Sequence, residues 1–188
     1  LGNNPAITTY LENRGIPLDI GRPYCKEMYY QLEDKQYFAA GFENRSGGYE
    51  LRNSYFKGSS SPKDITHIEN RAKSICVVEG FMDFLSLLTL QKSLHPIRSD
   101  FPVLNSVGLP DRSLDISERY RSIFLYLDHD NAGRKTQEKY ESARLKTVDA
   151  SIIYKQYKDV NDYLVSQKSS QKELKKQQAI KKSGGLHL

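Results

Sequence analysis

The sequence predicts an α/β protein: a mostly parallel four-stranded sheet with flanking helices, preceded by a small α+β subdomain with an antiparallel meander. Three observations predict it. Between residues 74 and 165, short apolar runs alternate with stretches of helical spacing. Two of those runs, 74–79 and 122–128, are rich in Val, Ile, Leu and Phe, and each stops at a carboxylate. Runs of this kind, bounded by turn residues, read as buried parallel strands. Before residue 74 the spacing is instead that of strands joined by short polar turns.

Taken in order, residues Pro5 to Arg14 read as a helix. Ile7, Tyr10 and Leu11 share a face, Pro5 suits a first turn and Gly15 suits a stop. Ile16 to Tyr24, with two prolines and a glycine, is a connector. Glu27–Leu32 and Gln36–Phe42 are two strands around Glu33-Asp34-Lys35. Tyr49–Phe56 is a third strand, after a turn cluster that ends in Gly47-Gly48. Lys57 to Asp64 is a polar, Ser-rich loop. Strand 74–79 then leads into helix 81–94, whose apolar face is Phe84, Leu85, Leu87, Leu88 and Leu94. Phe101–Val107 is a strand ended by Gly108-Leu109-Pro110, and Ser113–Tyr120 a short helix. Strand 122–128, a charged helix 132–147 and strand 150–154 follow. A closing helix over 161–167 is docked by Tyr163, Leu164 and Val165. Three regions result: 1–73, 74–165, and a basic, flexible tail over 166–188.

Charge placement narrows the function classes. The net charge is +5, but the tail from Ser166 holds six Lys and one Glu, which accounts for all of it. The body is therefore neutral, and the basic pI is weak evidence for nucleic-acid binding by it. Residues 45–73 nevertheless carry six basic groups against three acidic ones, with tyrosines interleaved. That mix suits phosphate contacts and base stacking as well as a solvated face. There is no apolar run long enough to span a membrane and no signal peptide. The two cysteines, Cys25 and Cys76, make neither a disulfide framework nor a zinc quartet, which fits a reducing cytoplasm. Leu1 in place of Met suggests a segment of a longer protein.

The chemistry gathers at strand ends. In open α/β sheets, ligands bind just beyond the carboxyl ends of the strands. Glu79, Asp128 and Asp130 fall at that edge, with Asp83 one helical turn past Glu79. Carboxylates crowded together repel, and a divalent cation relieves them. A calcium EF-hand loop starting at Asp128 is excluded, because Ala132 and Lys139 stand where oxygen ligands are needed. A phosphatase of the Asp-x-Asp type begins its domain with that strand, and here the strand comes late.

Glu79-Gly80 with Asp83, followed by Asp128-x-Asp130-x-x-Gly133, resembles the Toprim signature of bacterial primases, topoisomerases and some nucleases. Lys158-Asp159-Val160-Asn161-Asp162 is similar to a lysine-led, metal-binding segment of primases, and this narrows the resemblance to them. Asp159 matches the first aspartate of that segment. Asn161 stands where a second would be, and Val160 replaces a proline. The resemblance implies a Toprim-like sheet and metal-dependent synthesis of short RNA primers on single-stranded DNA from ribonucleoside triphosphates. Glu79, Asp128 and Asp130 would be catalytic. Two Mg²⁺ or Mn²⁺ ions, and no zinc in this segment, would be held by Glu79, Asp83, Asp128, Asp130 and Asp159. Nucleic acid or nucleotide would meet Arg45, Arg52, Lys57, Lys63, Arg134 and Lys135. A replicative helicase would be a partner through regions outside this sequence. A Toprim nuclease or topoisomerase-related protein that cleaves phosphodiesters, and a non-catalytic nucleic-acid-binding module, are the alternatives.

Overall fold

The computed structural model describes residues 1–93, 98–105 and 110–183. Helix α1 (Pro5–Asn13) opens the chain, capped by Asn4, whose Oδ1 accepts from the amides of Ala6 and Ile7. The connector that follows contains one further turn of helix, α2 (Leu18–Gly21). Strands β1 (Cys25–Leu32), β2 (Lys35–Glu43), β3 (Tyr49–Arg52) and β4 (Lys57–Ser59) form an antiparallel sheet in that order. The stretch expected to be a polar loop thus begins with β4, whose Lys57 pairs with Arg52. The third strand is correspondingly short, because the chain turns back at Asn53, where Asn53 Oδ1 accepts from the amide of Tyr55.

The second sheet has five strands in the order β5-β7-β6-β8-β9. These are β5 (Thr66–Ile68), β6 (Ser74–Val78), β7 (Phe101–Val103), β8 (Ser122–Tyr126) and β9 (Thr147–Asp149). It is mostly parallel, as expected, with β5 added as an antiparallel edge strand. Helices α3 (Phe81–Ser93), α4 (Pro110–Ser117), α5 (Asn131–Ser142) and α6 (Val160–Ser183) complete the fold. Leu94, residues 106–109 of the expected strand end, and residues 184–188 of the expected tail lie outside the described residues.

Alternation along β6 sets the core. Ile75 and Val77 face one side with Ile123, Leu125, Leu127, Ile116 and Tyr140. Cys76 and Val78 face the other, with Phe81, Phe84 and Leu85 of α3 and with Ile7, Leu11 and Phe42 of the N-terminal region. The antiparallel sheet therefore shares a core with the parallel one through α3. On the opposite face, the Tyr140 hydroxyl bonds Ser113 Oγ at 2.8 Å and Ser117 Oγ at 3.0 Å, pinning α5 to α4.

Two expectations need correction. Residues 150–154 are not a strand: β9 ends at Asp149 and Ser151–Tyr154 is a 3-10 helix. Asp149 Oδ1 accepts from the Ser151 amide and turns the chain. Ile152 and Ile153 then face solvent, while Tyr154 is buried with its hydroxyl donating to Leu127 O at 3.0 Å. The closing helix does not stop near 167 either; α6 continues to Ser183, carried by good helix formers such as Lys, Gln and Glu. No helix among the described residues is long and apolar enough to cross a membrane.

Candidate metal centre

Residues Val78 and Tyr126 are partners in the β6–β8 ladder, so the two strands end level with each other. Glu79 follows one and Leu127-Asp128 the other. Glu79 Oε1 accepts from the Asp128 amide at 2.9 Å, and the Asn105 amide donates to Glu79 O at 2.9 Å. Gly133 makes room for this. A Cβ there would collide with Asp128 O and lie 2.8 Å from Glu79 Oε1. Asp83 sits in the first turn of α3, where the amides of Asp83 and Phe84 both donate to Gly80 O.

The segment after the 3-10 helix is clipped onto the same edge. The His129 amide donates to Lys158 O at 2.8 Å, and His129 Nδ1 donates to Tyr157 O at 2.7 Å. A carbonyl can only accept, so Nδ1 carries a proton, and Nε2 bonds the Ser151 hydroxyl at 3.0 Å. His129 is thus a clip between two loops and points its ring away from the carboxylates. Asp159 is held by accepting, through Oδ1, from the Asp162 amide at 2.7 Å. Asp159, and not Asp162, therefore caps the start of α6.

Oxygens of Asp83, Asp128 and Asp159 lie within 4.8 Å of one another. Asp83 is 8% exposed, and its Oδ1 is buried with no hydrogen-bond partner. Burial, then the charges of Asp159 and Asp128, hold Asp83 well above the usual carboxylate range. Burial, then Asp128, pushes Glu79 up to about 7; burial, then Asp159, pushes Asp128 up to about 6. Asp83, Glu79 and Asp128, each resisting ionisation beside other acids, are a set waiting for positive charge. Lys158 supplies a little of it, with Nζ 4.0 Å from Asp128 Oδ2.

Two of the expected ligands are otherwise engaged. Asp130 Oδ1 caps α5, accepting from Ala132 N at 2.8 Å and Gly133 N at 3.1 Å. Glu79 gives one oxygen to the Asp128 amide, as above, and stands beside the cluster of three. Asn161 is fully buried; its Nδ2 donates to Arg14 O at 2.8 Å and to Ser86 Oγ at 2.7 Å. Its side-chain nitrogen therefore ties α6 to α1 and α3.

The expected basic residues scatter. Arg52 and Lys57 line the same cleft as Asp83, Asp128 and Asp159, a space of about 740 Å³. Arg52 stacks over Phe81, 5.6 Å from the ring centroid, and donates to Gly58 O. Lys63 and Lys135 are exposed. Arg134 lines a hollow beside His129 and bonds Asn131. Arg45 lines a different cleft altogether. Sequence reasoning gave no role to Lys158 or Arg14, both of which line the carboxylate cleft. Lys158 was legible as the neighbour of Asp159. Arg14 carries no local signal, since α1 reaches the cleft only through tertiary packing.

Comparison with known proteins sets this geometry in a family. Residues 76–164 match the family model described as Toprim-like. Over these residues the chain is Toprim-like. Residues 1–61 match a second model, described as a domain of unknown function (DUF8464). Among solved structures, the chain is similar to the primase fragment of the bacteriophage T7 primase-helicase protein. The TM-score is 0.57 at 18% identity, covering 89% of this chain and 72% of that one. It is also similar to the zinc-binding and RNA polymerase domains of Aquifex aeolicus primase, with TM-score 0.56 at 14% identity. That match covers 77% of this chain and 49% of the other, so this chain spans about half of it. A third match is to primase domains bound to an RNA/DNA hybrid and dTTP beside the T7 lagging-strand DNA polymerase. Its TM-score is 0.54 at 18% identity, over 89% of this chain and 88% of that one. A search of curated proteins finds no match. The Toprim domain and the antiparallel sheet before it thus share the fold of primase fragments.

Proposed function

We propose that this chain is the catalytic core of a primase, joining ribonucleoside triphosphates into short RNA primers on a single-stranded DNA template. One observation carries the reading. Asp83, Asp128 and Asp159 come from three separate elements of a Toprim domain and converge in a cleft, where Asp83 keeps a buried oxygen with no partner. The donors are all carboxylate oxygens, which fits a hard divalent cation such as Mg²⁺ or Mn²⁺ and not zinc. Asp83, Asp128 and Asp159 would hold a first ion; the second oxygens of Glu79 and Asp130 would serve another. When bound, the ions supply a lowered pKa at the attacking 3′-hydroxyl and neutralise the pyrophosphate that leaves.

The chain's own residues then have defined tasks. Glu79 fixes the Asp128 amide and so the height of the Asp128 carboxylate. His129 holds the 128–130 loop against the Lys158–Asp159 segment. Lys158 places a cation beside Asp128, where negative charge builds on the transferring phosphate. Arg52 and Lys57 give the cleft a basic wall for template or triphosphate, with Arg14 beside them. The T7 neighbour belongs to a primase-helicase protein, and contact with a replicative helicase is part of the same reading.

The test is incubation with single-stranded DNA, ribonucleoside triphosphates and Mg²⁺ or Mn²⁺. Labelled RNA oligomers, lost in Asp128→Ala, are expected. Cleavage of the DNA without any RNA product would replace the primase reading with a phosphodiester-cleaving one. No Mn²⁺ uptake by calorimetry would leave only a binding module.

A further inference from the structure

Arg45 was expected among the residues that meet nucleic acid or nucleotide, and it lines a cleft of its own, of about 420 Å³, between the β2–β3 turn, β5 and α4. Arg112 and Arg119 share that cleft with Arg45, together with Asp64, His67, Glu69, Asp115 and Tyr120. The acids do not cancel the cations evenly. Asp64 is spent: Oδ1 accepts from Arg112 at 2.5 Å and from the Ile65 amide, and Oδ2 accepts from Ser46 Oγ at 2.7 Å. Glu69 is mostly in solvent and reaches His67 Nδ1 at 3.2 Å. The Tyr120 hydroxyl is committed to Asp100. Arg45 and Arg119 form no ion pair among the described residues. The His67 side chain is 10% exposed, and its Nε2 is buried without a hydrogen-bond partner. Burial disfavours charge on that ring, Glu69 and Asp100 favour it, and both free arginines lie near enough to disfavour it. An anion between them would remove that conflict and let Nε2–H donate.

We propose that Arg45, Arg119 and His67 form a phosphate-binding site that receives a phosphodiester of the nucleic-acid strand passing the carboxylate cleft. The two clefts are neighbours through one residue: Asn105, which lines the carboxylate cleft, donates to Asp64 O at 3.0 Å and to Thr66 Oγ1 at 2.9 Å. Planar, unpaired guanidinium groups are suited to phosphate oxygens. An interaction of this kind fixes the strand's position without reading its sequence. The strand as source of the phosphate rests on the primase reading; the phosphate site itself rests on the residues just named.

The experiment is binding of a labelled oligodeoxythymidylate without divalent metal across a salt series, comparing the parent chain with Arg45→Gln/Arg119→Gln. The double variant is expected to bind about tenfold more weakly. The slope of log affinity against log salt should fall by about 0.7 for each phosphate that the variant no longer neutralises. Its melting temperature and its Mn²⁺ uptake should match the parent's, because neither arginine touches the carboxylates. Unchanged affinity and slope for the oligonucleotide, with no binding of inorganic phosphate or AMP to either protein, would overturn the site. Inorganic phosphate or AMP binding that the variant loses, with oligonucleotide binding unchanged, would overturn the strand as source and keep the phosphate site. Binding is read without catalysis, so a parent chain that makes no primers but whose variant binds the strand more weakly sinks the primase reading alone.

Discussion

Two strand–turn–helix units of the Toprim sheet look alike in sequence and behave differently. In one, β6 ends at Glu79-Gly80 and enters α3; in the other, β8 ends at Asp128-His129-Asp130 and enters α5. Helix α3 is walled in by the shared core, with Phe81, Met82, Phe84, Leu85 and Leu87 all buried. Its acid, Asp83, is buried with them and left with an unpaired oxygen. Helix α5 buries only Gly133, Thr136 and Tyr140, and its acid, Asp130, caps its own amides. A carboxylate's place in a motif does not fix its task. What decides is whether the helix behind it offers free amides or an apolar wall. A buried acid whose own helix spares it no amide, and one of whose oxygens has no partner, is costly in the apo protein, and its cost is relieved by a ligand.

The sharpest way to break this contrast is to remove the acids of the cluster. Asp83→Ala, Asp128→Ala and Asp159→Ala should each lower primer synthesis by at least about 10³-fold, the scale of losing cation charge stabilisation at the reacting phosphate. Mn²⁺ uptake by calorimetry should fall in parallel. Apo melting should hold or rise for Asp83→Ala and Asp128→Ala, because like charges are relieved. Full primer synthesis by Asp128→Ala would end the assignment.

A second prediction concerns pH. Glu79 and Asp128 titrate at about 7 and about 6 in the folded chain, above their ordinary values of 4.5 and 3.8. Below about pH 4 both are protonated in either state, and the stability they contribute is fully present. As pH rises the unfolded chain ionises first, so it binds fewer protons and the folded state loses ground between about pH 4 and 7. The loss is on the order of 3 kcal/mol for the pair, since the two repel and do not add. Apo protein in chelator should therefore melt lower at pH 8 than at pH 5. Mg²⁺ should restore much of the difference, and Glu79→Gln should flatten the slope. A melting temperature that rises steadily from pH 5 to pH 8 in chelator would contradict the burial argument.

Much of this frame was legible from letters alone. Apolar runs between turn residues gave β6 and β8, and helical spacing gave α1 and α3, because those signals are local. The 3-10 helix was not legible: Ile152 and Ile153 read as part of a strand, and the bond from the Ser151 amide to Asp149 helps turn them outward. Strand β5 is three residues of mixed polarity, defined by its partner β7 and by little of its own. At the site, spacing brought the acids to one sheet edge but could not divide their oxygens between amides and open space. Nor could it show that Arg45 and Arg52, both in the same antiparallel segment, face different clefts.

The glycines of the two units sharpen the comparison at a smaller scale. A methyl group at Gly133 would strike Asp128 O and press on Glu79 Oε1, whereas one at Gly80 would meet only Asp83 Oδ2, at 3.2 Å. Gly133→Ala should cost about 2 kcal/mol by overpacking and weaken Mn²⁺ binding as the Asp128 loop shifts. Gly80→Ala should cost less than about 1 kcal/mol, because a side-chain oxygen can move by a few tenths of an ångström. Chemical denaturation of the two variants side by side checks this, and equal costs would mean that α5 does not brace the Asp128 loop.

The smallest expected effect separates the cap of Asp130 from any charge it lends to metal. Asn is as good an N-cap as Asp, and Ala is not. Asp130→Ala should therefore lose about 1 kcal/mol of stability, and Asp130→Asn almost none. If Oδ2 of Asp130 also serves a second ion, Asp130→Asn will keep its melting temperature yet take up fewer Mn²⁺ ions and make fewer primers. If the cap is the whole of its task, both quantities will stay at parent levels in Asp130→Asn. Asp83 and Asp130 would then differ completely, one a ligand without a cap and the other a cap without a ligand.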